Sequence, residues 1–163
     1  MNKLEIIRSK IYTSEFLVKQ IAAWRLTNQK IVFTNGCFDI IHLGHIDYLS
    51  KAADLGNKLI VGVNTDSSVK RLGKGVNRPI QDENSRAMIM ASLHVVNAVI
   101  LFNEDTPYEL IQLLHPDVLV KGGDYKEEDI VGHDIVKSTG GEVKILDYLP
   151  GYSTTGIEQK IRG

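Results

Sequence analysis

The sequence has one cysteine, one tryptophan and four prolines in 163 residues. Cys37 can form no internal disulfide, so packing must hold the fold, and a reducing compartment, the cytoplasm, is the expectation. An excess of either charge is missing too: 19 Lys and Arg against 20 Asp and Glu leave a formal net charge of -1. That balance offers no bulk attraction to nucleic acid, so any anion must be gripped locally. No apolar run approaches the roughly 20 residues that a membrane-spanning helix needs. The opening "MNKLEIIRSKIY" carries charge without a long apolar core, so it does not read as a signal peptide. There is no internal repeat or low-complexity tract. The expectation is a soluble cytoplasmic protein without membrane or nucleic-acid partners.

What is present is an ordinary globular composition, 43% hydrophobic and 24% charged, at a length suited to one domain. Short β-branched apolar runs alternate with amphipathic ones. "KIVFTN", "KLIVGVN", "NAVILF", "DVLVKGG" and "EVKIL" read as buried strands. Between them, helices are expected over "HLGHIDYLSKAADLG", over "DENSRAMIMASLH" capped by Asp82, over "TPYELIQLLH" capped by Thr106, and near Ile130–Thr139. "STTGIEQKI" reads as a closing short helix. "TDSSVKRLGKGVNRP" reads as a glycine-rich basic loop. The expected organisation is an N-terminal helical arm over 1–29 and a second unit over 30–163. The expected fold class of that unit is α/β: a Rossmann-like, doubly wound, five-stranded parallel sheet with helices on both faces. In such sheets ligands sit beyond the carboxyl ends of the strands, at the switch in strand order.

The loops at that edge carry chemistry. In "TNGCFDIIHLGH", Gly36 follows the first strand, where backbone can approach a ligand. His42 precedes the helix and His45 lies in its first turn, facing the same side. The exposed N–H groups of a helix start attract anions, and imidazole donors add to that. Gly44 removes a side chain between the two rings, leaving room for a base or phosphate. Cys37 reads as a small packing residue. Lys74, flanked by Gly73 and Gly75, suits a lysine that closes over a phosphate on a glycine hinge. Lys70 and Arg71 suit either a solvated basic face or a ligand, and Arg78 joins them as a candidate for substrate. Asp66 can hold substrate hydroxyls or cap a helix. Arg86 reads as an exposed helical arginine if it has no ligand. In "VKGGDY", Lys121 at a strand end before two glycines suits a nucleotide or sugar phosphate, and Asp124 suits ribose hydroxyls. Ser153, Thr154 and Thr155 offer one helix cap and further hydroxyls for an anion cradle.

"GCFDIIHLGH" resembles the Gly-x-Phe-Asp-x-x-His-x-Gly-His signature of the nucleotidyltransferase superfamily, in its cytidylyltransferase-like branch. The resemblance implies that His42 and His45 contact nucleotide phosphates and stabilise the transition state, with Lys74 beside them. It implies that backbone at Thr34, Asn35, Gly36 and Phe38 packs on the nucleotide. Asp39 matches the motif, as turn acceptor or catalytic group alike. Arg86 would lie near the acceptor phosphate, and Ser153–Thr155 would hold the β- and γ-phosphates. Many members follow that serine/threonine motif with a basic residue; here Gly156 and Ile157 stand there, which leaves Lys74 or Lys121 to supply the charge. Across "VKRLGKGVNRPI", "NEDTPYELI", "PDVLVKGGDY" and "GYSTT" the chain is similar to the adenylyltransferase family of ADP-heptose synthesis.

That resemblance implies attack by D-glycero-β-D-manno-heptose 1-phosphate on the α-phosphorus of ATP. The products are pyrophosphate and ADP-heptose for the lipopolysaccharide core. Mg²⁺ is expected to ride on the phosphates, with no metal site in the protein. A separate heptose kinase is expected upstream, and a homodimer is compatible with the family. Two alternatives stand beside it. One is a cytidylyltransferase acting on glycerol 3-phosphate or a related alcohol phosphate; the other is a nucleotide-binding module without turnover.

Overall fold

The structure, a computed structural model, describes residues 1–73, 75 and 77–163, with the side chain of Arg162 outside that description. The chain runs α1 (Lys3–Arg8), β1 (Ile11–Tyr12), α2 (Ser14–Leu26), β2 (Ile31–Gly36), α3 (Leu43–Ala53), β3 (Lys58–Asn64) and α4 (Asp66–Arg71). It continues through α5 (Glu83–Ser92), β4 (Ala98–Phe102), α6 (Tyr108–Leu114), β5 (Val118–Gly122), α7 (His133–Ser138), β6 (Glu142–Leu146) and α8 (Thr154–Arg162). All pairings are parallel, in the order β1-β4-β3-β2-β5-β6.

Period-two alternation along the strands sends side chains to opposite faces. Ile31, Phe33, Ile60 and Leu119 enter a core beneath α2, α6 and α7. Val32, Val61, Val63 and Val120 enter a second core beneath α3 and α5. Burial on both faces explains why the strands read as continuous apolar runs.

The sheet has six strands where the sequence reading expects five. The additional strand is β1, whose Ile11 and Tyr12 pair with Val99 and Ile100. Two residues are too short to show a periodic pattern. Lys10 pins this edge by donating through Nζ to the carbonyl of Val96 at 2.8 Å. Next to it, α2 drives Leu17 and Ile21 into the first core. A second difference is α4, six residues in the segment expected to be loop. Its serines disguise it, but Thr65 caps it by accepting the Ser68 N–H. At α6 the cap position is Pro107, without a side-chain cap bond, in place of the expected Thr106. Helix α7 is shorter than its expected span.

Chain order places the switch between β2 and β5, the strands from which the connections run outward in opposite directions. Pairing there stops at Phe33↔Leu119, whereas β2 stays paired with β3 as far as Gly36↔Val63. The last residues of β2 and β5 therefore splay apart and open a crevice. Tyr48 of α3 bridges the gap from below. Its hydroxyl lies 2.7 Å from Thr34 Oγ1 and donates to the Val120 carbonyl at 3.2 Å.

Candidate functional site

The turn after β2 is built to present two imidazoles. Phe38 takes a left-handed backbone conformation at φ 49° and buries its ring against Gly36, where a β-carbon would come within 3.0 Å of it. The same ring meets His45 edge-on, with centroids 5.6 Å apart. His42 occupies the N-cap position of α3, and its ring stacks on His45 at a centroid distance of 3.9 Å. The His42 N–H points to Nδ1 of His45 at 3.4 Å. A neutral His45 accepting there carries its proton on Nε2.

Burial lowers the pKa of both rings. For His45, burial first and then the neighbouring His42 push it down to about 4; for His42 burial alone lowers it. Two close imidazoles at a helix start oppose one another's protonation, and the partial positive charge of the helix end adds to that. At neutral pH the pair is therefore two uncharged donors. His42 Nδ1 is buried without a protein hydrogen-bond partner, over Gly44.

Gly44 is needed for the protein's own packing. A β-carbon there would lie 3.0 Å from His42 Nδ1 and 3.2 Å from Cβ of Tyr152. The missing side chain makes room for the protein's own His42 ring and for the residue that leads into α8. It thereby seats the start of α8 against the start of α3. Ser153 caps α8 by accepting the Gly156 N–H at 3.0 Å, with Thr154 half-buried and Thr155 exposed beside it. Two helix starts thus converge on one spot, a concentration of free N–H groups that favours polyanions.

Behind this spot lies a buried polar scaffold. Asp39, 4% exposed, accepts from the N–H groups of Ile80 and Gln81 at 2.8 and 2.9 Å and from Arg78 Nη1 at 2.7 Å. Burial alone would raise its pKa; the two backbone N–H groups and the guanidinium together hold it below the usual carboxylate value. Its acceptor role is structural, and its partners lie some forty residues away in sequence. Arg78, expected on substrate, is here held between Asp39 and Glu158.

Arg86 corrects its sequence reading outright: its side chain is 0% exposed. It donates to the carbonyls of Gln81 at 3.0 Å and Cys37 at 2.7 Å and to Asp66 Oδ1 at 2.7 Å. Asp66, in turn, is the first residue of α4, and its N–H donates to Glu83. Both residues brace the site from within. Thr34 is fully buried on Tyr48, so its side chain is also framework.

On the other side of the β2 edge opens a cleft of about 330 Å³. Asn35, Gly36, Cys37, Asn64, Asp105, Lys121, Tyr125 and Ile130 are among the residues that line it. Asp124 is exposed beyond β5. Lys74 lies outside the described residues. Among the described residues there is no group of three or more His, Cys, Asp and Glu side chains that could hold a metal ion.

Sequence reasoning missed Tyr48, Glu158 and the tyrosines around Gly122 and Gly123. Rings of Tyr148 and Tyr125 cover those two glycines. Their only signal was the glycine pair itself, since a missing β-carbon implies something lying close above it.

Comparison with known proteins agrees with this geometry. A family model described as cytidylyltransferase-like matches residues 33–159. A "bifunctional protein HldE" from Nitratiruptor sp. is 58% identical over 134 residues, covering 82% of this chain and 28% of that protein. A protein of the same description from Wolinella succinogenes is 49% identical over 156 residues, covering 96% of this chain and 32% of that protein. The chain thus spans about a third or less of the length of these curated relatives. Among solved structures, a lipopolysaccharide core biosynthesis protein from Thermoplasma volcanium superposes with a TM-score of 0.62 at 34% identity, over 74% of this chain and 97% of that one. A pantoate-beta-alanine ligase from Francisella tularensis shares the fold at 18% identity, with a TM-score of 0.56.

Proposed function

The chain belongs to the cytidylyltransferase-like family, and from that premise we propose that it is an adenylyltransferase acting on D-glycero-β-D-manno-heptose 1-phosphate. The donor is ATP as its Mg²⁺ complex, and the products are ADP-heptose and pyrophosphate. The observation that carries this reading is the neutral, stacked pair of His42 and His45 where two helix starts converge.

In the reaction an oxygen of the sugar phosphate attacks the α-phosphorus of ATP. The bond from that phosphorus to the bridging oxygen breaks, and its electrons leave on pyrophosphate. Negative charge gathers on the non-bridging oxygens at the α-phosphorus. Uncharged imidazole N–H donors, the Nε2–H of His45 among them, suit it, because they neither gain nor lose a proton and stay in place through the reaction. The Ser153–Thr155 helix start would receive the β- and γ-phosphates. The cleft behind β2 has the size for a sugar phosphate and has Lys121 on its wall. Lys74 would close over the reacting phosphates. The substrate would bring Mg²⁺ on its own phosphates.

The heptose substrate is supported by the motifs shared with the ADP-heptose family and by the relative described as a lipopolysaccharide core biosynthesis protein. A heptose kinase would supply the sugar 1-phosphate. A cytoplasmic location and a homodimer belong to the same reading.

Pyrophosphate release should be followed for ATP, CTP and GTP against heptose 1-phosphate and glycerol 3-phosphate. Turnover is expected for ATP with the heptose phosphate. Turnover with CTP and glycerol 3-phosphate would move the chain to the alcohol-phosphate cytidylyltransferases. Tight ATP binding without release on any acceptor would make it a nucleotide-binding module.

A further inference from the structure

Of the elements that meet at the histidines, α8 has the weakest hold on the body. None of its described residues is buried. Among the described residues, Glu158 is the α8 side chain with an ion pair to the rest of the fold. Its partner Arg78 donates from Nη2 to Glu158 at 3.0 Å and from Nη1 to Asp39 at 2.7 Å. One guanidinium thus joins three pieces: the histidine turn through Asp39, the loop at residues 78–81, and α8.

We propose that Arg78 is a positioning residue, whose clasp on Asp39 and Glu158 sets the Ser153–Thr155 helix start against His42 and His45. The kinetic consequence rests on the adenylyltransferase reading; the structural one does not.

The chemistry favours arginine. Its planar fork offers separate nitrogens to two carboxylates, where a lysine is a single point charge. Asp39 cannot turn away, because the N–H groups of Ile80 and Gln81 fix it. The clasp therefore moves α8 and leaves the histidine turn in place. Glu158 lies five residues after Ser153 in sequence, about 7.5 Å along the helix axis. A small tilt at Glu158 is therefore felt at the hydroxyls that would receive the β- and γ-phosphates, weakening their hold on ATP.

The test is a double-mutant cycle on the full chain with Arg78→Gln and Glu158→Gln, plus Arg78→Lys. The readouts are ATP KM and kcat, and hydrogen exchange of the α8 amides relative to global unfolding. Glu158→Gln should raise KM about tenfold with kcat within about twofold, and speed α8 exchange about tenfold at unchanged melting temperature. Arg78→Lys should behave like Glu158→Gln, since it keeps the Asp39 contact alone. Adding Glu158→Gln to Arg78→Gln should change nothing further. Wild-type KM and α8 exchange in Glu158→Gln would overturn the clasp, as would additive effects of the two substitutions. So would faster exchange explained wholly by a lower global stability. If the wild type releases no pyrophosphate with any nucleotide, the adenylyltransferase reading fails, and the exchange cycle alone decides the clasp.

Discussion

His45 illustrates how much of the chemistry sits in one residue's surroundings. Its spacing from His42 was legible in the sequence, and so was its place at a helix start. Its protonation state was not, because that follows from the stacked ring and from burial beneath Phe38. The unfolded chain binds a proton on this ring near pH 6.5, and the folded chain only near 4. Between those values the unfolded state holds more protons, so stability rises with pH through that window and falls on acidification from 6.5 towards 4. Urea midpoints at pH 5 and pH 8 should show this loss, and His45→Asn should reduce it. Bound triphosphate reverses the sign of the local field. A histidine NMR titration should therefore find both pKa values raised when ATP is present.

Arg86 and Tyr48 show the opposite case, residues whose roles no local pattern betrays. Arg86 has the sequence setting of a surface helical arginine, yet its partners come from two other loops and from Asp66. Truncating it leaves the half-buried Asp66 carboxylate and two carbonyls short of donors. Arg86→Met should cost about 3–5 kcal/mol of stability, read as a drop in melting temperature. Tyr48→Phe removes the hydroxyl that spans β2 and β5. A loss of about 1–3 kcal/mol is expected, without a change in ATP affinity comparable to that from His45→Ala.

At the scale of elements, strands and caps were the most legible. β2 to β5 were readable as apolar runs, because both faces of the sheet are buried there; β6, at the edge, was readable from its alternation, with Val143 buried between exposed Glu142 and Lys144. Asp82 and Ser153 cap α5 and α8 as their residue types imply. Short pieces were not readable. β1 has no periodicity in two residues, and the serines of α4 are compatible with loop and helix alike until Thr65 is seen to cap it. α2 was readable as a helix, while its burial against the sheet was not. Leu17→Ala tests that burial directly, with an expected loss of about 2–5 kcal/mol in denaturant unfolding.

At the scale of the molecule, the sheet does the assembling. Parallel strands send their following loops to one edge, and the change of direction between β2 and β5 opens that edge. Residues far apart in sequence thereby meet: the histidine turn, the start of α8 and the cleft with Lys121. The sequence predicted the edge and most of the groups on it. It did not predict that several, namely Asp66, Arg78 and Arg86, face inward on partners within the protein. Those residues were recognisable as important by type, but only packing decides whether a charge meets a ligand or a neighbouring loop.

The central claim is that His42 and His45 hold the transferring phosphorus while AMP passes from ATP to a heptose 1-phosphate. It is tested most directly by pyrophosphate release with those two substrates in the wild type and in His45→Ala, at saturating ATP. The expected result is turnover in the wild type and a loss of about a hundredfold or more in kcat in the variant, with its melting temperature near that of the wild type. Turnover that survives His45→Ala undiminished would contradict the claim.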